Sequence, residues 1–111
     1  MPKLLILDDE FFGECLAHAR SSGFDVAGPF SSLQQVKERL DRDHEIDAAL
    51  IDVDLDRELI FPLMDRLIAK GAAVVVYTRE DVSLPDRFWM LPRFRKPKEC
   101  GPALAYLLSH L

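Results

Sequence analysis

The stretch AAVVVYT, residues 72–78, decides how this chain folds. Its apolar residues occupy odd and even positions alike, and Val74, Val75 and Val76 are consecutive. Side chains on a strand point alternately to opposite faces, so such a run fits a strand covered on both sides. An antiparallel sheet with one wet face would alternate apolar and polar residues instead. Thr78 ends the run, and Gly71 before it stops a helical pattern carried by Leu63, Leu67 and Ile68. Pro62 is placed at the first turn of that helix, where a missing N–H costs least.

The neighbouring segments repeat the theme. LLIL (4–7), FDVAG (24–28) and DAALI (47–51) read as three earlier strands, and RFR (93–95) as a weak fifth. Residues 10–22 hold Phe12, Cys15, Leu16 and Ala19 at helical spacing. Ser32 with Gln35 three residues on is a capping-box pattern ahead of Leu33, Val36 and Leu40. Residues 79–92 contain Pro85 and Pro92, so any helix there is short, and Phe88, Trp89 and Met90 are expected to plug the core beneath it. Residues 99–110 form a last helix with Leu104, Leu107, Leu108 and Leu111 inward. Cys15 is expected in the core and Cys100 half-exposed at a helix start. A β-α unit repeated five times implies an α/β fold. Its natural form at this length is an open, doubly wound parallel sheet with helices on both faces. A closed eight-stranded barrel needs about twice the chain.

Composition bounds the function. The 111 residues suit one domain, 1–111, with no second folded unit. Apolar residues make up 49% and charged residues 30%, the mixture of an ordinary globular domain. The net charge of −5 argues against nucleic acid as a partner. No apolar run has membrane-spanning length, and the start MPKLLILDDE lacks a signal-peptide core. Two cysteines make no disulfide framework, and a cytoplasmic setting is expected. Residues 1–56 carry thirteen acids against five bases, whereas residues 57–111 carry six against nine.

The acids fall where strands end. Asp8 and Asp9 follow the first strand and Asp52 the third, while Thr78 ends the fourth and Lys96 follows the fifth. Ligands of open parallel sheets bind at the carboxyl ends of the strands, so these five residues point to one crevice. Three carboxylates there repel unless a cation joins them. Oxygen donors without histidine or cysteine favour Mg²⁺. With a lysine and a hydroxyl alongside, the set suits a phosphoryl group, and a carboxylate against the metal can be the nucleophile.

ILDDE, ALIDVDL, VVVYT and RKP, in this order and at these strand ends, resemble the receiver domain of two-component response regulators. The resemblance covers essentially the whole chain. It implies a flavodoxin-like sheet of order 2-1-3-4-5, here with a short or absent fourth helix, and a stand-alone receiver without an output domain. It also implies that Asp52 is the phosphoacceptor, that Asp9 ligates Mg²⁺ directly and that Asp8 does so through water. The backbone carbonyl of Asp54 is a further ligand, Thr78 the switch hydroxyl and Lys96 the phosphate-pairing lysine. The implied partners are a histidine kinase or a histidine phosphotransfer protein, plus an unidentified downstream protein. Neither nucleic acid nor membrane is implied, and a homodimer is allowed. Self-phosphorylation and self-dephosphorylation are the implied reactions, with no turnover of a free metabolite.

This chain departs from the family pattern at Arg79, where a small residue usually follows the switch threonine. It departs again at Arg93, where an aromatic is usual, and at Lys98, where phenylalanine often stands. Glu80, two past Thr78, occupies a position where receivers tune phosphate lifetime. Arg79 is expected to lie in solvent, and the side chains of Asp54 and Asp56 are expected to be ordinary loop polarity. His18, His44 and His110 are scattered and carry no expected metal or phosphodonor role. Two further readings compete. One is a phosphorylation-independent receiver-like scaffold with Arg79 seated in the phosphate position. The other is a haloacid-dehalogenase-type phosphatase built on Asp52-Val53-Asp54, although such enzymes usually carry that motif on the first strand.

Overall fold

The computed structural model describes residues 1–8, 12–30, 32–42, 45–54, 57–79, 83–96 and 98–111. Five strands form one parallel sheet in the order β2-β1-β3-β4-β5. These are β1 (Lys3–Leu7), β2 (Asp25–Phe30), β3 (Ala48–Ile51), β4 (Ala73–Thr78) and β5 (Arg93–Arg95). Four α-helices accompany them: α1 (Phe12–Ser21), α2 (Leu33–Arg42), α3 (Arg57–Ala69) and α4 (Cys100–Ser109). Between β4 and β5 stands one 3₁₀ turn, Asp86–Phe88, in place of a full helix. The doubly wound sheet with a reduced fourth helix is therefore as the sequence predicts.

The continuous apolar strands divide by parity into two cores. Leu5, Leu7, Ala49, Ile51, Val74 and Val76 face α2, α3 and the 3₁₀ turn. Leu4, Ile6, Ala48, Leu50, Val75 and Tyr77 face α1 and α4. Burial on both faces explains why the strands show no polar alternation. Among the described residues no helix is long and apolar enough to cross a membrane.

Local signals hold the ends of these elements. The Gln35 N–H donates to Ser32 Oγ at 3.3 Å, forming the cap that the sequence shows at α2. Gly71 adopts φ +89°, its N–H donates to the Ile68 carbonyl and that of Ala72 to the Leu67 carbonyl, closing α3. β2 runs past the predicted 24–28 to Phe30, with an irregularity opposite Leu5–Leu7. Gly28 makes it possible: its φ is +107°, and a Cβ there would lie 2.8 Å from the Phe30 nitrogen. The result delivers the Phe30 carbonyl to the Asp8 N–H at 3.1 Å.

Several expected positions differ. Pro62 lies inside α3, not at its first turn, because the helix starts at Arg57. Ile60, Leu63, Met64 and Leu67 are all buried at helical spacing, and that apolar face carries the helix through the hydrogen bond lost at proline. Ile68, Leu108 and Leu111 are exposed rather than inward: Ile68 and Leu108 lie off the stripe their helices turn to the sheet, and Leu111 lies past the end of α4. Cys100 is buried, not half-exposed, and joins the core under α4. Of the three residues expected to plug the core after β4, only Phe88 does so. It lies 5.6 Å from the Phe61 ring, and the Arg87 guanidinium sits 4.6 Å above it while Nε donates to Asp65 on α3. Trp89 and Met90 are 77% and 73% exposed, because a single 3₁₀ turn offers only one inward position.

Truncating Phe88 should therefore behave as a core deletion and truncating Trp89 should not. Phe88→Ala is expected to cost about 3–5 kcal/mol in urea unfolding, and Trp89→Ala less than about 0.5 kcal/mol.

Candidate functional site

Pairing register builds the site. Leu7 pairs with Ile51, so the residues that follow them, Asp8 and Asp52, leave the sheet side by side. The Asp52 N–H donates to the Leu7 carbonyl at 2.9 Å, fixing that alignment. Thr78 pairs with Arg95, and the Lys96 N–H donates to the Thr78 carbonyl at 3.0 Å. β5 is two strands from β3, roughly 10 Å away at normal spacing, so only a long side chain reaches the carboxylates from there. Lys96 does so: Nζ donates to Asp52 Oδ2 at 2.6 Å and to Asp8 Oδ1 at 2.8 Å. All three side chains are 1% exposed.

The charges do not balance. Two carboxylates share one ammonium in a buried site, leaving it one negative charge in excess. Burial raises the Asp52 pKa, and Asp8 adds to the rise. The Lys96 and Asp54 hydrogen bonds and the Lys96 charge oppose it; the net value is about 6. Burial pulls Lys96 down, but its bonds to Asp52 and Asp8 and their charges prevail and hold it above the usual lysine value. An added cation would relieve the excess charge, and carboxylate oxygens are the kind of donor that Mg²⁺ takes. Asp9, the third expected ligand, lies outside the described residues, as do Asp56, Glu80, His44 and Pro97. Among the described residues no group of three or more Asp, Glu, His or Cys side chains stands ready for a metal.

The remaining oxygen of Asp52 is also held. The Asp54 N–H donates to Asp52 Oδ1 at 2.8 Å, in a turn formed by the residues after β3. The Asp54 side chain does more than the loop polarity expected of it: its Oδ2 accepts the Thr78 hydroxyl at 2.9 Å. Sequence spacing gave no sign of this bond, because it joins the end of β4 to a turn twenty-four residues earlier. Arg79 is exposed, as expected, and Asp52 is held by Lys96 and the Asp54 N–H. The cation on Asp52 is thus Lys96 rather than Arg79, unlike the arrangement a scaffold with Arg79 in the phosphate position would require. The Arg79 carbonyl accepts Arg95 Nη1 at 2.9 Å, tying the residue after Thr78 to the edge strand. His18 packs against Gly101 between α1 and α4, and His110 stacks on Tyr106.

Neither models of protein families nor curated proteins match the sequence. Solved structures do. A response regulator receiver protein from Burkholderia phymatum is 17% identical, with a TM-score of 0.76 over 100% of this chain and 98% of its own. A response regulator receiver domain protein from Bacillus halodurans is 19% identical, with a TM-score of 0.75 over 96% and 97%. SdrG from Sphingomonas melonis Fr1 is 25% identical, with a TM-score of 0.76 over 99% and 95%. The chain has the fold of response-regulator receiver domains, a flavodoxin-like sheet matched over nearly its whole length.

The buried triad makes two expectations. Lys96→Ala leaves two carboxylates without their cation and is expected to cost about 3–5 kcal/mol in urea unfolding. The raised Asp52 pKa means the unfolded chain ionises first as pH rises. Its destabilising effect is absent below the ordinary value of 3.8, grows with pH and is complete above about 6. Asp52→Asn removes that effect. Its stability relative to wild type, in chelator-treated buffer, is therefore expected to improve between about pH 4 and about pH 7. An equal difference at both ends of the range would contradict the assignment.

Proposed function

We propose that this chain is a phosphoacceptor signalling protein of a two-component or phosphorelay system. Asp52 receives a phosphoryl group from the phosphohistidine of a histidine kinase or a histidine phosphotransfer protein, with Mg²⁺. The observation that carries this reading is Lys96 Nζ within hydrogen-bond distance of both Asp52 and Asp8. The receiver fold supports it, and Asp52 occupies the strand end where an open parallel sheet binds its ligand.

The chemistry needs little beyond positioning and charge. One Asp52 carboxylate oxygen forms an O–P bond while the N–P bond of the donor breaks. The bonding pair leaves with the imidazole nitrogen, and the product is an acyl phosphate. Lys96 is placed to neutralise phosphoryl oxygens next to Asp52, and Thr78 supplies a hydroxyl donor from β4. Asp8, Asp9, Asp52 and the backbone carbonyl of Asp54 would hold the metal, which when bound neutralises charge on the transferring group. The chain accepts and loses a phosphoryl group but turns over no free metabolite.

The signal leaves through protein contacts. Trp89 and Met90 stand exposed beside the edge strand, and large apolar side chains of this kind anchor interfaces. Arg95 connects that edge to the residue after Thr78. A downstream protein docking on this side would sense the strand end that carries the hydroxyl.

Intact-mass measurement with acetyl phosphate as donor tests the reading. Mg²⁺-dependent gain of a single phosphoryl group is expected, lost in Asp52→Ala. The absence of any adduct across a range of Mg²⁺ concentrations, or steady release of phosphate from p-nitrophenyl phosphate, would contradict it.

A further inference from the structure

We propose that the Asp54 carboxylate is a latch that keeps Thr78 away from Asp52 in the unmodified protein, and that phosphorylation must break it. This inference rests on the phosphoacceptor reading above and adds a regulator within the same site. Asp54 is bound at both ends. Its N–H donates to Asp52 Oδ1 at 2.8 Å, and its Oδ2 accepts the Thr78 hydroxyl at 2.9 Å. The residue thus joins the acceptor that follows β3 to the hydroxyl at the end of β4 through its own main chain and side chain.

A threonine hydroxyl has one hydrogen to donate. While Asp54 Oδ2 takes it, a phosphoryl oxygen on Asp52 cannot. The bond to a carboxylate is charge-assisted and stronger than one to a neutral acceptor. A phosphoryl oxygen is also anionic, so the two acceptors compete for one donor on comparable terms. Thr78 is only 4% exposed, and water is a poor substitute partner there. Asp54 is exposed, so water can replace the Thr78 hydroxyl on its carboxylate. The latch therefore opposes the phosphorylated state by the bond that must be given up, and it releases Thr78 when a better acceptor arrives. Asp54 acts through Thr78 and is a positioning residue, separate from any role of its backbone carbonyl toward the metal.

A double-mutant cycle separates this from simple charge repulsion. The ratio of phosphorylated to unmodified protein is read by intact mass at fixed acetyl phosphate and Mg²⁺. It is measured for wild type, Asp54→Ala, Thr78→Val and the double variant. Asp54→Ala is expected to raise the ratio roughly tenfold, the effect of one charge-assisted bond. The rise is expected to vanish when Thr78 is already valine. Asp54→Asn, which keeps the shape and a neutral acceptor, is expected to give a smaller rise and serves if the alanine variant fails to fold. In the unmodified protein, the Thr78 methyl resonance of either Asp54 variant is expected to move towards its position in phosphorylated wild type. A rise that persists undiminished in the Thr78→Val background would overturn the latch and leave the phosphoacceptor reading standing. So would an unchanged ratio, or a methyl resonance indifferent to Asp54. No mass gain in wild type or any variant would overturn the phosphoacceptor reading, and the latch with it.

Discussion

The Lys96 ammonium, bonded at once to Asp8 and Asp52, is the interaction on which the rest of this structure depends. Two carboxylates buried side by side repel, and one alone in an apolar setting takes up a proton. Lysine makes their burial tolerable without making it neutral. On the function proposed here, the remaining negative charge is what a divalent cation and, through it, a phosphoryl group would neutralise. The sheet exists in the form needed for this. β1 and β3 must be neighbours, in the register Leu7 to Ile51, and β5 must close the edge so that a four-carbon stem spans the gap.

Most of this frame was legible in the sequence, for particular reasons. The strands at 4–7, 47–51 and 72–78 announce themselves because burial on both faces leaves no polar position, and Gly71 and Ser32 mark helix ends by mechanisms local to a few residues. That Asp52, Thr78 and Lys96 lie at neighbouring strand ends was legible because each ends or directly follows a predicted strand. What escaped depends on contacts distant in sequence. Pro62 favours a helix start on local grounds, and only the packing of Ile60 against the sheet draws the helix back to Arg57. Leu108 looks as apolar as Leu104 and Leu107, and nothing local says which stripe α4 turns inward. The bond from Thr78 to Asp54 belongs to the same class, since it is made across two strand ends.

The segment between β4 and β5 shows how a shortened element still serves the fold. Phe88 fills the position a helix would cover, Arg87 fastens it to Asp65, and the Pro92 carbonyl accepts the Val76 N–H at the start of β5. One turn thus seals the core over α3 while leaving Trp89 and Met90 outside. Arg79, directly after Thr78 at the crevice end of β4, and Arg93, at the start of β5, are both exposed. The buried triad brings together Asp8, Asp52 and Lys96, three of the four charged groups that the sequence places at strand ends; Asp9 lies outside the described residues.

The excess negative charge of the buried triad is most directly tested by isothermal calorimetry of Mg²⁺ binding to wild type and Asp52→Asn. Saturable binding at a single site, weakened at least tenfold in the variant, is the result that the two carboxylates and one ammonium predict. The same weak heat from both proteins at millimolar Mg²⁺ would contradict it.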